Sequence, residues 1–102
     1  MLSRTPVELS KIGKKELDKE ILRVAIIAEL DAINLYEQLA AQTDDVNIKK
    51  VLLDVAGEEK THVGEFQTML LSKDEEQVRE LDKGKEEVKE ITKKKPRLNV
   101  HL

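Results

Sequence analysis

From about Lys15 to about Ala41, and again from about Val46 to about Leu71, apolar residues recur at alternating steps of three and four. That spacing gathers them on one face of an α-helix. Only Gln42-Thr43-Asp44-Asp45 separates the two stretches. Two long helices joined by so short a turn must lie antiparallel, which predicts a helical hairpin. The first stretch holds neither Gly nor Pro. The acidic turn residues suit the positive end of the helix that follows. Strand-type alternation is absent, and the fold class is read as all-α.

The flanks are less regular. Thr5-Pro6-Val7-Glu8 has the form of a helix start, which Gly13 then breaks. Ser72-Lys73-Asp74-Glu75 has the form of a capping box, predicting a third helix from near Asp74 that Gly84 interrupts or bends. Lys93-Lys94-Lys95-Pro96-Arg97 ends the structured part, and Leu98-Asn99-Val100-His101-Leu102 is a short apolar tail. The expected organisation is an N-terminal segment over 1–13, a helical domain over 14–91 and a tail over 92–102.

A chain of 102 residues makes one small domain. Such a domain buries little of its surface, so oligomerisation is a common way to complete its core. With no Cys, disulfides and thiolate metal sites are excluded. No apolar run is long enough to span a membrane, and no signal-peptide pattern is present, so a cytoplasmic chain is expected. Lys and Arg number 18 against 21 Asp and Glu, for a net charge of -3. Mixed signs fit an ion-paired surface and argue against nucleic-acid binding.

The apolar stripes are interrupted at their middles. The second helix reads Ile48, Leu52, Val55, Glu59, His62, Phe66, Met69, and the first reads Leu22, Ala25, Glu29, Ala32, Tyr36, Leu39. In an antiparallel hairpin the middles face each other, so Glu29, Glu59 and His62 should meet at one level. An ionised carboxylate buried without a partner costs several kcal/mol. The stripes offer no Lys or Arg, and a bound metal is the simplest compensation. Carboxylates with a neutral imidazole suit iron, manganese or zinc. Ferritin-like carboxylate sites take a Glu from each of two helices and a Glu-x-x-His from each of two others. This chain supplies one Glu and one Glu59-Lys60-Thr61-His62, which is half the set. A symmetric pair would supply the whole set, with a carboxylate charge that balances two divalent ions.

Blander readings stand beside this one. His62 could be a core histidine, and Glu29 a structural buried acid or one turned to solvent. Tyr36 fits a packing residue better than a redox participant. Glu58 and Glu65 read as solvated acids that could also guide cations inward. Asp31 and Asn34 lie off the Glu29 stripe, as surface or subunit-contact residues. Val24-Ala25-Ile26-Ile27-Ala28 is apolar on more than one face, which predicts a second interface. The Lys/Glu-rich third helix reads as a solvated face or an arm gripping a neighbour.

The segment from Ala28 through Glu29, Asp31, Tyr36 and Leu39, followed by Gly57-Glu58-Glu59-Lys60-Thr61-His62-Val63, resembles the encapsulated ferritins. These are ferritin-like cargo proteins of encapsulin nanocompartments, and the resemblance covers about residues 17–91. It implies a hairpin plus a short C-terminal helix, dimerising into a ferritin-like four-helix bundle and assembling as an annular homodecamer. It implies a ferroxidase, oxidising Fe(II) with dioxygen at a di-iron site between two subunits, for iron storage inside an encapsulin shell in the cytoplasm. The catalytic metal ligands it implies are Glu29, Glu59 and His62, with Tyr36 beside the centre. Asp31 matches an acidic position that the resemblance links to metal entry, and Glu58 is a further candidate for that path from its own position. Iron is the implied metal, with calcium, manganese or zinc as occupants in vitro. Two positions depart from the better-known bacterial pattern: Ala28 replaces an acid and Leu35 a tryptophan, both on the access path. The tail at 98–102 resembles a shell-loading peptide, or is a frayed terminus. The alternative functions are a rubrerythrin-like peroxidase, another di-metal carboxylate protein, or a metal-free helical assembly module.

Overall fold

The computed structural model describes residues 13–93, which form three helices: α1 (Lys14–Gln42), α2 (Val46–Leu71) and α3 (Glu75–Lys93). The segments carrying the Thr5–Glu8 helix start and the 98–102 tail lie outside the described residues. The all-α class and the antiparallel hairpin are as expected from the spacing.

Each boundary has a local cause. Gly13 is extended and starts α1 through its carbonyl, which accepts from the Glu16 and Leu17 amides at 3.0 and 3.1 Å. Asp45 caps α2: its Oδ1 accepts from the Asn47 and Ile48 amides at 2.9 and 3.0 Å. Thr43 Oγ1 accepts from the Asp45 amide at 3.1 Å and holds the cap in place. The expected Ser72 capping box does not form. Ser72 still belongs to the end of α2, where its hydroxyl donates to the Met69 carbonyl at 2.6 Å. Asp74 caps α3 instead, accepting from the Gln77 amide at 3.0 Å. Nor does Gly84 break α3, which runs unbroken to Lys93, two residues past the expected boundary. One glycine costs only about 1 kcal/mol in a helix of good formers, too little to stop it.

The core is thin. Among the described residues the buried apolar side chains are Ala32, Ala40, Ala56 and Leu70, and no large side chain is fully buried. The alanines hold α1 and α2 close together as one layer, and the molecule measures 48 × 45 × 20 Å. A single layer of helices has nothing to cover its apolar faces. Ile21, Leu39, Ile48, Val51 and Met69 remain exposed on the hairpin. α3 meets the hairpin only near its root. Among the described residues no helix is long and apolar enough to cross a membrane.

Candidate metal centre

The antiparallel register brings the mid-stripe residues together. His62 Nδ1 lies 3.3 Å from Glu29 Oε2 across the hairpin and 3.7 Å from Glu59 Oε1 one turn back on α2. One ligand-type atom from each of the three residues falls within 4.8 Å of the others. Both carboxylates are 19% exposed and the imidazole is 43% exposed. The trio therefore opens onto a surface rather than into the hairpin's interior. That surface is apolar at both ends: Ile48, Val51 and Met69 share the His62 side of α2 by helical spacing, and Ile21 and Leu39 the adjoining side of α1.

The electrostatics are those of crowded negative charge. Glu29 is raised above its ordinary value of 4.5. The largest cause is a hydrogen bond with the Glu59 carboxyl, followed by burial and the Glu59 charge, with His62 acting in the opposite sense. For His62 the largest influence is burial, which disfavours its charged form; the hydrogen bond and charge of Glu29, with the charges of Glu59 and Glu65, outweigh it and raise the pKa. Among the described residues no Lys or Arg forms an ion pair with any of the three. Two carboxylates and an imidazole converging without a protein cation make a donor set that fits a divalent ion of the iron, manganese or zinc type.

The remaining site residues stay apart from this cluster. Tyr36 is half-buried, two turns along α1, and hydrogen-bonds none of the three. Asp31 is half-buried and outside the trio. Glu58 and Glu65 are exposed on α2, and Asn34 is exposed on α1. Two inter-helix ion pairs carry no motif in the sequence. Lys60 Nζ meets Glu37 Oε2 at 3.0 Å across the hairpin. Arg23 Nη2 meets Asp74 Oδ2 at 2.9 Å between α1 and the start of α3. The second joins residues 51 positions apart, beyond the reach of any local pattern.

Comparison with known proteins agrees with this fold. A family model described as Rubrerythrin matches residues 20–100. A ferritin-like-encapsulin shell fusion protein of Pyrococcus furiosus is 60% identical over 83 residues, covering 79% of this chain and 24% of that protein. The encapsulin nanocompartment cargo protein EncC of Myxococcus xanthus is 38% identical over 71 residues, covering 67% of this chain and 55% of that protein. The chain thus spans 24% of the first relative's length and 55% of the second's. The crystal structure of the encapsulated ferritin domain from Pyrococcus furiosus matches with a TM-score of 0.77 at 59% identity, covering 90% of this chain and 94% of that one.

Proposed function

From the premise that this chain belongs to the Rubrerythrin family, as a member of its encapsulated-ferritin type, we propose that two copies pair through the open apolar face to make a ferroxidase. The observation that carries the reading is the meeting of Glu29, Glu59 and His62 on that face, with His62 Nδ1 only 3.3 Å from Glu29 Oε2. A two-fold axis through such a face brings a second trio against the first and covers the exposed apolar residues around it. The joined set then has the ferritin-like composition of four carboxylates and two imidazoles.

Ferrous iron is the substrate. Glu29, Glu59 and His62 of the two copies would together hold one pair of Fe(II) ions, with Glu59 and its mate the residues we assign to contact both. Each ion gives up one electron to dioxygen and becomes ferric, and the two electrons with two protons convert dioxygen to hydrogen peroxide. Hard carboxylate oxygens favour the higher charge, which draws the oxidation forward. To ligate through Nδ1, His62 must be free of a proton on that atom, so iron uptake displaces the protons that the trio holds. The resemblance to the encapsulated ferritins assigns Asp31 to the metal's approach and Tyr36 to the surroundings of the assembled site, and we add Glu58, an exposed acid beside Glu59, to the approach. The ferric product passes to an encapsulin-type shell, the association that the names of both relatives carry, and we place that shell in the cytoplasm.

The test is aerobic Fe(II) oxidation by the wild-type chain and by Glu59→Ala and His62→Ala. Both variants are expected to fall to the rate of iron in buffer. Equal rates in all three would reject the assignment. The Rubrerythrin match favours one second reading, a peroxidase of the same architecture. A rate that follows hydrogen peroxide and ignores dioxygen would select it. The 102 residues contain no Cys for a rubredoxin-type iron site, so electrons would have to come from a partner.

A further inference from the structure

The face that bears the trio also carries the one thioether among the described residues. Met69 stands seven residues after His62, so helical spacing puts both side chains on one side of α2, about 10 Å apart along its axis. Met69 is 52% exposed. Its carbonyl accepts from the Ser72 hydroxyl at 2.6 Å, which fixes the last turn of α2 that presents the side chain. The Glu29–His62 contact sets the register of the hairpin, and counted from it Leu22 of α1 stands level with Met69. Beside Leu22, Ile21 is 44% exposed. The sulfur thus belongs to an apolar patch at one end of the face, open to solvent while the chain is unpaired.

Oxidation of two Fe(II) ions by one dioxygen leaves hydrogen peroxide. A thioether reduces peroxide in a two-electron step: the sulfur attacks one peroxide oxygen, the O–O bond breaks, a sulfoxide S–O bond forms and water leaves. The sulfur is the reductant and the peroxide the oxidant, so no other reactant is needed. The step turns a flexible apolar side chain into a polar one. A sulfoxide oxygen covered by a partner requires a hydrogen-bond donor. The side chains of Ile21, Leu22 and Phe66 offer none, and the Glu65 carboxylate, one turn before Met69, accepts and does not donate. Covering the oxygen unsatisfied should weaken pairing on the order of tenfold per sulfoxide, or about a hundredfold for a pair that carries two. Pairing and oxidation therefore oppose each other: the pair covers the sulfur, and the sulfoxide disfavours the pair.

We propose that Met69 is a peroxide-sensitive site, whose conversion to the sulfoxide stops two copies from pairing across the metal-bearing face. The source of the peroxide rests on the ferroxidase reading; the response of the face to peroxide does not. The reaction is then limited by its own product. Chains that meet peroxide before they pair are kept out of the working centre, and chains already paired are shielded.

The test uses reagent peroxide and no iron. Metal-free chain at a series of concentrations is treated with hydrogen peroxide, quenched with catalase, and read at Met69 by peptide mass spectrometry. The gain of one oxygen is expected, faster in dilute than in concentrated protein, and slowed by Zn(II), which is redox-inert and holds the pair together. A rate indifferent to both would overturn the shielding. By sedimentation the oxidised chain should form smaller species than the untreated chain, with pairing weakened at least about tenfold. Met69→Leu, close in volume and without sulfur, should keep its untreated assembly after the same exposure. Sulfoxide at Met69 with assembly unchanged would overturn the proposal, as would a Met69 that survives dilution and peroxide sufficient to oxidise free methionine. Untreated chain that never pairs would overturn the paired site and this proposal with it. Aerobic Fe(II) oxidation that yields no peroxide would overturn only the source, leaving the response of the face to stand on the reagent experiment.

Discussion

At the scale of single residues, Glu29 sets the character of the centre. It comes from α1, whereas Glu59 and His62 share α2, so it is the side chain that makes the trio depend on the hairpin. Glu29→Gln keeps the shape and removes the charge. Loss of an outer-shell partner of a metal ligand typically lowers affinity 10–100-fold, so loss of the ligand itself should cost at least about tenfold. Titration with Mn(II) or Zn(II) measures it. The same trio was legible in the sequence because polar residues at mid-stripe are conspicuous against apolar neighbours. Asp74 was not, because its importance rests on Arg23, far away along the chain. The Gln77 amide that Asp74 accepts from, ahead of its Arg23 bond, holds its carboxyl below the ordinary 3.8 despite burial. A depressed carboxyl adds stability above its unfolded value and loses it as pH falls through the folded value. The gap in urea midpoint between wild type and Asp74→Asn should therefore be full at neutral pH and close as pH falls below about 3.8. A gap that is constant down to strong acid would show that charge is not its source.

At the scale of helices, the hairpin follows from periodicity and from one short acidic turn. Asp45 closes two amides at the start of α2. Its replacement by Ala should cost about 1 kcal/mol of stability, read by thermal or urea unfolding, with Asp45→Ser close to neutral. The third helix was legible as to existence and approximate start but not as to the capping residue or the direction. Ser72 matches the capping-box pattern as well as Asp74 matches the cap, and only the hydroxyl's bond to Met69 decides between them. Gly84 marks no break: α3 is continuous through it, a Cβ there meets nothing within 4 Å and the backbone has no positive φ. Gly84→Ala should thus stabilise α3 by about 0.5–1 kcal/mol through the lost freedom of the unfolded chain. Greater helical signal and a higher melting temperature are the expected readouts. A loss would mean that a second backbone approaches that edge closely.

At the scale of the whole molecule, the exposed apolar residues outnumber the buried ones. The sequence foretold a need for partners, since a hairpin of this length cannot enclose a core, but how its faces are shared is a matter of geometry between elements. An assembly that forms as the chain folds should melt at temperatures that rise with protein concentration. Divalent ions bound only by the native assembly should raise the melting temperature further. At one hundred times the dissociation constant the gain is about 2.7 kcal/mol per site. Exhaustive chelation should reverse it, and a melting temperature indifferent to both protein concentration and metal would contradict the paired site.

Three of the four buried apolar residues of α1 and α2 are alanines. Alanine has no side-chain torsion to adjust, so the spacing of the two helices is written in the backbone alone. Such a joint behaves like a ruler rather than a cushion. It holds Glu29 at a set reach from His62, but it cannot absorb an extra methylene. A bulkier residue at Ala32 or Ala56 would act as a wedge, felt at the carboxylates before it was felt in the fold.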